Sequence, residues 1–460
     1  MKKLIFIALA VLGWIGCTQT EEVVSSEENA IAEILSRINA PDLPDLELDL
    51  MDFGDRETVL QNIRPALDSA IRTCAAQGGG KIVVPAGNYF SEGPIHLLSN
   101  IQLHFEEGAV VTFSQEPEDY LPVVFVRWEG VECYNYSPYI YAKDQENIII
   151  SGKVRFNGNA EGGIQTWLEK QKPFQSSLWE MGRNGVPVNE RIFGEDHWLR
   201  PAFLQLVNCE NVLISDIQIE NVPFWVVQLT YCKNVTVRGI RVNSRFLNND
   251  GCDPDSSEDV LIEDCHFTTG DDAIAVKSGR DQDGWRVNRP SKNIVIRNCH
   301  TDLTLHGVAF GSEMSAGIEN VYVQNFTMGK VDQYAVQFKA NRDRGGYIRN
   351  VFIDGVTIDS AKTAIYFTND YHSYAGGTSP SAFSDISIKN YSCGYASDRG
   401  IDMVGTEENP IHHVQFSNVT VESAARNRME YAEDIQFNNV NINGQPVATA
   451  SDLVEKNNDK

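Results

Sequence analysis

The densest group of acidic side chains in this sequence is NNDGCDPDSSEDVLIEDCHFTTGDDAIAVKSG, residues 248–279. It contains nine aspartates and glutamates in 32 residues, and two of them, Asp271 and Asp272, are adjacent. Neighbouring carboxylates repel each other when both are ionised, so an adjacent pair needs a physical reason. Three physical reasons would account for the pair: a solvated turn, a metal site, or an acid and a base acting on one substrate.

The segment that carries these aspartates belongs to a repeat. From residue 100 onward an Asn or Asp, and once a His, precedes an alternating apolar run. The copies are NIQL at 100, NIII at 147, NVLI at 211, NVTV at 234, DVLI at 259, NIVI at 293, NVYV at 320, NVFI at 350, DISI at 385, HVQF at 413 and DIQF at 434. From 211 to 434 successive copies start 21 to 35 residues apart, which is typical of repeat architectures.

One copy is too short to bury its own apolar face, whereas stacked copies form a continuous core. Short β-branched strands between Asn, Asp and Gly turns, with no long amphipathic helix in the repeats, favour stacked strands. A leucine-rich repeat would require leucines at fixed offsets, and a propeller would require four longer strands per copy. We therefore predict an all-β fold, a right-handed parallel β-helix.

The segments outside the repeat suggest the chain's organisation. Residues 1–17 contain two lysines, a short apolar run and a glycine before Cys17, which is typical of an export signal. Cys17 is a candidate lipid attachment site, so we expect a periplasmic or outer-membrane lipoprotein, with secretion as the alternative. Residues 18–50 predict a flexible acidic leader, 51–447 a single β-helix domain, and 448–460 a loose tail. Helical spacing in TVLQNIRPALDSAIRTCAAQ predicts a helix that caps the first coil.

An aromatic-rich insertion interrupts the repeat between residues 160 and 200. It contains Trp167, Phe174, Trp179 and Trp198, more aromatic side chains than a turn of a β-helix needs. Two interpretations remain open: these side chains pack a local core, or they form a wall of a sugar-binding cleft.

Eight cysteines remain when Cys17 is set aside, several of them beside the repeated strands in NCENVLI, YCKNVTV, EDCHFTT and RNCHTDL. This placement favours small buried side chains at equivalent positions. Disulfides are the second interpretation. Metal ligation is the third, because no CxxC spacing occurs.

The chain carries a formal net charge of −25. Such a charge argues against a nucleic-acid partner, because a polyanion would be repelled. An anionic ligand would need a local basic pocket, and Lys339 is the candidate for its countercharge.

Four motifs together resemble glycoside hydrolase family 28, the polygalacturonase family. NND at 248–250 corresponds to the family's Asn-Thr-Asp, GDD is found at 270–272, HGVAFGSE at 306–313 corresponds to its Gly-His-Gly segment, and QFK at 337–339 to its Arg-Ile-Lys. AAQGGGKIVVPAGNY is similar to the opening of longer bacterial members. The resemblance extends over about residues 55–440 and implies a pectin-lyase-like β-helix.

The resemblance also implies roles for individual residues. Asp271 would be the general acid, and Asp250 and Asp272 would hold and deprotonate the attacking water. His306 would adjust the acid or bind a sugar hydroxyl. Substrate binding would fall to Asn248, Gln337 and Lys339. We expect no metal and no cofactor.

The implied reaction is inverting hydrolysis of an α-linked, uronic-acid-containing pectic chain. The long insertion would block one side of an open groove and so favours exo action, and we expect a monomer. Inversion needs a protonated carboxyl on one side of the bond and an ionised carboxylate on the other. Gln337 replaces the family's Arg and Leu305 replaces its first Gly, so rhamnogalacturonan or another acidic glycan is an alternative substrate. A Ca²⁺-dependent lyase and a non-catalytic glycan-binding β-helix are the other two hypotheses.

Overall fold

The computed structural model describes residues 26–372 and 374–453. The predicted export signal with Cys17, residues 18–25 of the predicted leader and residues 454–460 of the predicted tail lie outside this range. Among the described helices, none has the length and the apolar composition needed to span a bilayer.

Thirty of the strands join into one sheet that coils along the molecule. In chain order they are β1 (Glu47–Asp49), β2 (Gly80–Val84), β3 (Gly87–Ser91), β4 (Ile95–His96), β5 (Ile101–Phe105), β6 (Ala109–Phe113), β9 (Ile140–Lys143), β10 (Glu146–Gly152), β11 (Arg155–Asn157), β13 (Leu204–Val207), β14 (Glu210–Ser215), β15 (Gln218–Glu220), β16 (Val227–Thr230), β17 (Lys233–Arg238), β18 (Arg241–Ser244), β19 (Cys252–Asp255), β20 (Glu258–Glu263), β21 (His266–Thr269), β22 (Asp272–Val276), β23 (Ser291–Arg297), β24 (His300–Thr304), β25 (His306–Gly311), β26 (Ile318–Val331), β27 (Tyr334–Lys339), β28 (Tyr347–Thr368), β29 (Ala382–Val404), β30 (Ile411–Val421), β31 (Ala424–Glu430), β32 (Ala432–Ile442) and β33 (Gln445–Val447).

The strands of this sheet pair in parallel with the equivalent strands of neighbouring coils. Among the described strands of this sheet, only the terminal β32–β33 pair is antiparallel. The fold is therefore the predicted parallel β-helix. One longitudinal face, called the site face below, consists of β4, β9, β13, β16, β19, β22, β25 and β27, paired in that order.

The polar residue that opens each repeat has a conformational reason. Every one of these positions, from Asn100 to Asp434, has a φ between 51° and 62°. Asn and Asp tolerate this left-handed conformation better than other side chains do. The residue bends the chain into the next strand, and amide side chains of successive coils hydrogen-bond, as from Asn147 to Asn100 (2.7 Å) and from Asn234 to Asn211 (2.6 Å).

The core lies inside the coils and is built from ladders of like residues. One ladder continues from Ile148 through Val212, Val235 and Val260 to Ile294 in consecutive registers. All eight cysteines within the described range are buried and unpaired, in agreement with the packing interpretation.

Helices cover the N-terminal end of the coil. Helix α2 (Arg56–Gln61) and helix α3 (Arg64–Ala76) follow a 3-10 turn at Leu50–Phe53. The apolar face of α3, including Leu67, Ala70 and Ile71, belongs to the main core. The predicted capping helix is confirmed.

Part of the predicted flexible leader is folded, namely residues 26–37 and residues 47–50. Helix α1 (Ser26–Arg37) packs Ile31 and Ile34 against apolar side chains on the outer surface of the sheet, among them Leu261 and Val295. Arg37 also pairs with the buried Asp259 at 2.8 Å. The acidic composition of this segment led to the prediction of flexibility, although Ile31 and Ile34 have the spacing of one face of a helix.

The prediction of a loose tail is likewise wrong for its first residues. Strand β33 is followed by a 3-10 turn at Ala450–Asp452, in which Thr449 and Asp452 cap each other. The side chain of Leu453 is buried at the C-terminal end of the core.

The aromatic-rich insertion folds over the site face. It comprises a 3-10 turn at Ile164–Trp167, helix α4 (Leu168–Arg183), a second turn at Val188–Glu190 and strand β12 (Ile192–Phe193). Strands β7 (Val124–Trp128) and β8 (Val131–Asn135) form an antiparallel hairpin, with which β12 makes a separate three-stranded sheet. The insertion has its own apolar core, and helix α5 (Asp281–Val287) and a 3-10 turn at Pro117–Tyr120 complete the helical elements.

Candidate active site

The predicted site residues lie on consecutive coils of the site face. Asp250 precedes β19, Asp272 begins β22, His306 begins β25 and Lys339 ends β27. The backbone N–H of Gly251 donates to Asp272 O at 2.9 Å, and Asp272 is in register with His306. Strands on adjacent coils are separated by about 4.8 Å, so residues up to 89 positions apart in the chain meet in one patch.

The chain bends at Gly270 and Asp271, directly before β22. A Cβ at Gly270 would lie 2.1 Å from Phe246 O, so only glycine allows the preceding coil to approach this closely. The bend breaks the strict alternation of side chains along a strand. Both Asp271, whose side chain is 15% exposed, and Asp272, at 1%, therefore reach His306.

His306 connects the two aspartates. Its Nδ1 lies 3.2 Å from Asp271 Oδ1 and 2.8 Å from Asp272 Oδ1. Burial alone would lower the pKa of the imidazole, but hydrogen bonds to both carboxylates raise it overall. Tyr334 stacks on the ring at a centroid distance of 5.5 Å. A charged His306 favours an ionised carboxylate beside it.

Asp272 is held as a buried carboxylate. Lys339 Nζ lies 2.9 Å from its Oδ2, and Gln337 Nε2 donates to its Oδ1 at 2.9 Å. Burial would raise the pKa of Asp272, yet Lys339 and His306 outweigh it and lower the pKa strongly. Asp272 is thus ionised throughout the neutral and mildly acidic range.

Two of the predicted substrate-binding residues contact Asp272 of the protein itself. Gln337 is completely buried and contacts Asp272, so its side chain does not border the pocket. Lys339 borders the pocket, but its ammonium group is paired with Asp272. Both residues hold a carboxylate of the protein.

Asp250 has a different environment. Its Oδ2 pairs with Lys277 Nζ at 3.2 Å, whereas its Oδ1 has no hydrogen-bond partner among the described residues. Burial raises the pKa of Asp250 well above its usual value despite Lys277, and Asp271 and Asp272 raise it further. Asp253 lies fully buried beside Lys277, and burial together with Asp250 raises its pKa too.

These side chains open into a pocket of about 330 Å³. Helix α4 forms one wall through Gln171, Lys172, Gln175 and Trp179, and the turn of the β7–β8 hairpin contributes Glu129. Of the two interpretations of the insertion, the wall applies to Trp179, while Trp167 packs in the main core. Asn248 borders the pocket as well, where Arg200 Nη2 donates to its Oδ1 at 2.7 Å.

Comparison with known proteins assigns the chain to a family. The sequence profile of glycosyl hydrolases family 28 matches residues 74–450. This chain belongs to that family. It is therefore a glycosidase, as the motifs predicted.

Individual relatives support the assignment. The chain is 34% identical to a hyperthermoactive exopolygalacturonase from Thermotoga maritima, whose crystal structure superposes with a TM-score of 0.87 over 91% of this chain and 96% of that one. It is 29% identical to a probable polygalacturonase of Vitis vinifera, over 82% of this chain and 74% of the relative. An exo-poly-alpha-D-galacturonosidase of Dickeya chrysanthemi is 25% identical over 82% and 67%.

Sequence reasoning missed several residues that border the pocket in this family 28 enzyme. Tyr371 has its ring centroid 5.4 Å from Lys339 Nζ, and burial raises its pKa to about 12. Trp225 lies under Lys277 at 4.4 Å, and Glu313 pairs with Lys277 and Arg280. Only Glu313 had a sequence signal, as the last residue of HGVAFGSE.

The donors at the site fit a metal ion poorly. Oxygens of Asp271 and Asp272 lie within 4.8 Å of each other and of a His306 nitrogen. Ca²⁺ prefers six to eight oxygen ligands, whereas here Lys339 and Lys277 supply the positive charge beside Asp272 and Asp250. In the lyase hypothesis calcium would neutralise these carboxylates, whereas here the two lysines already do so.

Proposed function

We propose that this protein is an exo-acting, inverting hydrolase of α-linked galacturonate-containing pectic chains. The observation that carries the proposal is a carboxylate cluster at the bottom of a pocket that α4 and the β7–β8 hairpin close on one side. A chain end enters such a pocket, whereas a continuous polymer needs an open groove.

In the proposed mechanism Asp271 protonates the leaving glycosidic oxygen. It is the most exposed of the three aspartates, and His306 stabilises the carboxylate that remains after the transfer. Asp250 and Asp272 position the attacking water. The Oδ1 of Asp250 has no hydrogen-bond partner among the described residues and is free to bind the water. Asp272 is ionised, and the two carboxylates together accept the proton of the water.

The spacing of the carboxylates raises the question of stereochemistry. Separations of about 5 Å are typical of retaining glycosidases and 6.5–9.5 Å of inverting ones, and Asp271 and Asp272 are within 4.8 Å. Inversion is nevertheless supported, because Lys339, His306 and Gln337 all contact the Asp272 carboxylate. A carboxylate held in this way is a poor nucleophile.

The decisive experiment follows the products of polygalacturonate hydrolysis by chain length and by anomer. We expect short products of one size from the first time points, little early loss of viscosity, and inverted configuration in the first NMR spectra. Early mixtures of long fragments would contradict exo action, and a retained anomer would contradict inversion. Preferred cleavage of rhamnogalacturonan, tested in parallel, would favour the alternative substrate.

A further inference from the structure

Arg280 stands at the closed end of the pocket with its guanidinium clamped on several sides. Its Nε donates to Glu129 O at 3.2 Å, and its Nη2 donates to Glu313 Oε1 at 2.9 Å. The ring of Trp179 on α4 covers the guanidinium carbon at 3.8 Å. The side chain is only 5% exposed, so three separate elements hold the fork in a fixed orientation.

One donor of this fork is not used by the protein. Within the described residues the buried Arg280 Nη1 has no hydrogen-bond partner, and the side chain borders the pocket. Buried polar groups are almost always hydrogen-bonded in folded proteins. A rigid, buried donor without a protein partner points to an acceptor that arrives with the ligand.

The two lysines at the carboxylate cluster are already engaged. Lys339 pairs with Asp272, and Lys277 pairs with Asp250 and Glu313. Gln337, at the position of the family's Arg, is neutral and buried. The group that would bind a uronate carboxylate as a planar fork must therefore lie elsewhere.

We propose that Arg280, through Nη1, binds the carboxylate of the terminal uronic acid at the closed end of the pocket. This inference rests on the proposed function and deepens it, since it assigns the residue that makes the enzyme select an acidic chain end. Burial and the nearby Arg344 lower the pKa of Arg280. A carboxylate hydrogen-bonded to Nη1 would favour the charged guanidinium and so act against both effects.

Glu129 marks the same end of the pocket. It follows the hairpin strand β7 in a left-handed conformation with φ 42°, and Gln175 of α4 donates to its Oε2 at 2.8 Å. The hairpin turn and α4 therefore meet beside Arg280, and in the proposed complex the first sugar of a chain lies against this contact.

The test compares two matched oligosaccharides, one with a free terminal uronate and one with that single carboxyl methyl-esterified. We expect the wild-type protein to prefer the free acid. In Arg280→Gln, kcat/KM for the free acid should fall about 100-fold, mainly through KM, while the ester changes less than threefold. Arg349→Gln, an exposed arginine paired with Glu319, serves as the matched control and should leave both values unchanged.

A uniform loss on both substrates, or an unchanged preference for the acid, would overturn the inference. Arg280→Lys keeps the charge but loses the fork, and should retain part of the preference if the variant folds. If wild-type protein hydrolyses neither substrate nor any other uronate chain, the proposed function itself fails.

A complex structure covers the case in which the Arg280 variants do not fold. Asp271→Asn protein with bound digalacturonate should place the terminal carboxylate within about 3 Å of Nη1. A carboxylate bound only to Lys339, with Nη1 facing a sugar hydroxyl, would contradict the assignment.

Discussion

At the scale of single residues, the three aspartates differ because their neighbours differ. Asp272 has a lysine, a histidine and an amide around it. Asp250 shares one lysine with other carboxylates and has a raised pKa. The same residue type therefore has opposite pKa shifts at two positions a few ångströms apart, because the neighbouring charges and the burial differ.

Asp271→Asn should lower kcat by about 10³-fold, because an amide cannot donate the proton to the leaving oxygen. The fold should be retained, since the Asp271 side chain is partly exposed and asparagine has the same shape. Initial rates on oligogalacturonate with a circular dichroism melt check both points. Asp359→Asn, at an exposed strand position, should keep full activity. An active Asp271→Asn protein would remove Asp271 from the mechanism.

Lys339→Met should shift the acid limb of the pH–rate profile. Lys339 lowers the pKa of Asp272 and also that of Asp250. Removal of its charge therefore raises both pKa values, and the pair that accepts the proton of the water becomes protonated at higher pH. We expect the acid limb of kcat/KM to move upward by about 1–2 pH units. A higher KM at an unmoved limb would instead indicate that Lys339 binds the substrate, as the sequence suggested.

At the scale of elements, the asparagine ladder defines the turn between the strands. Asn320 has φ 56°, donates to Asn293 at 3.2 Å and accepts from Asn350 at 3.1 Å. Its side chain therefore does two things, because it tolerates the left-handed backbone and it connects three coils.

Substitution of Asn320 separates the two contributions. Asn320→Ala loses the hydrogen bonds, worth about 1 kcal/mol each, and adds about 1–2 kcal/mol of backbone strain. Asn320→Gly loses only the hydrogen bonds, so it should be the milder variant. Urea midpoints of the two proteins check the order. A milder alanine variant would show that the backbone conformation costs little at this position.

At the scale of the whole molecule, the β-helix leaves an outer apolar surface that α1 covers. Leu261, Val295 and Tyr322 lie on successive coils, and Ile31 and Ile34 of α1 pack on them. This surface is formed by the strands that follow the asparagine turns, away from the site face. The helix should therefore contribute to stability without touching the chemistry.

Ile34→Asp should detach α1, because a buried charge replaces an apolar contact worth about 2–5 kcal/mol. We expect rapid proteolysis within residues 26–37 and a kcat/KM within twofold of wild type. Ala32→Asp, on the exposed side of the same helix, should remain protected. Equal protection of both variants would mean that the apolar contact does not hold the helix.

Much of the fold followed from local rules. The Asn and Asp turns with their alternating strands predicted the coil, and helical spacing predicted the cap at α3. The same rules missed α1, because its acidic composition outweighed two isoleucines whose partner surface, which includes Leu261, Val295 and Tyr322, lies far away in the sequence. The composition of a segment does not describe the surface that packs against it, and burial depends on that surface.

The sequence by itself determined the repeat and the family, and it predicted Asp250, Asp271, Asp272 and His306 as candidate site residues, since these features are contained in short motifs. Only the tertiary structure decided that Gln337 and Lys339 hold Asp272, that α4 closes the pocket, and that Arg280 keeps a donor free. The physical reason is that such contacts join coils and an insertion far apart in the chain. Their charges interact through space at 3–4 Å, which no sequence spacing encodes.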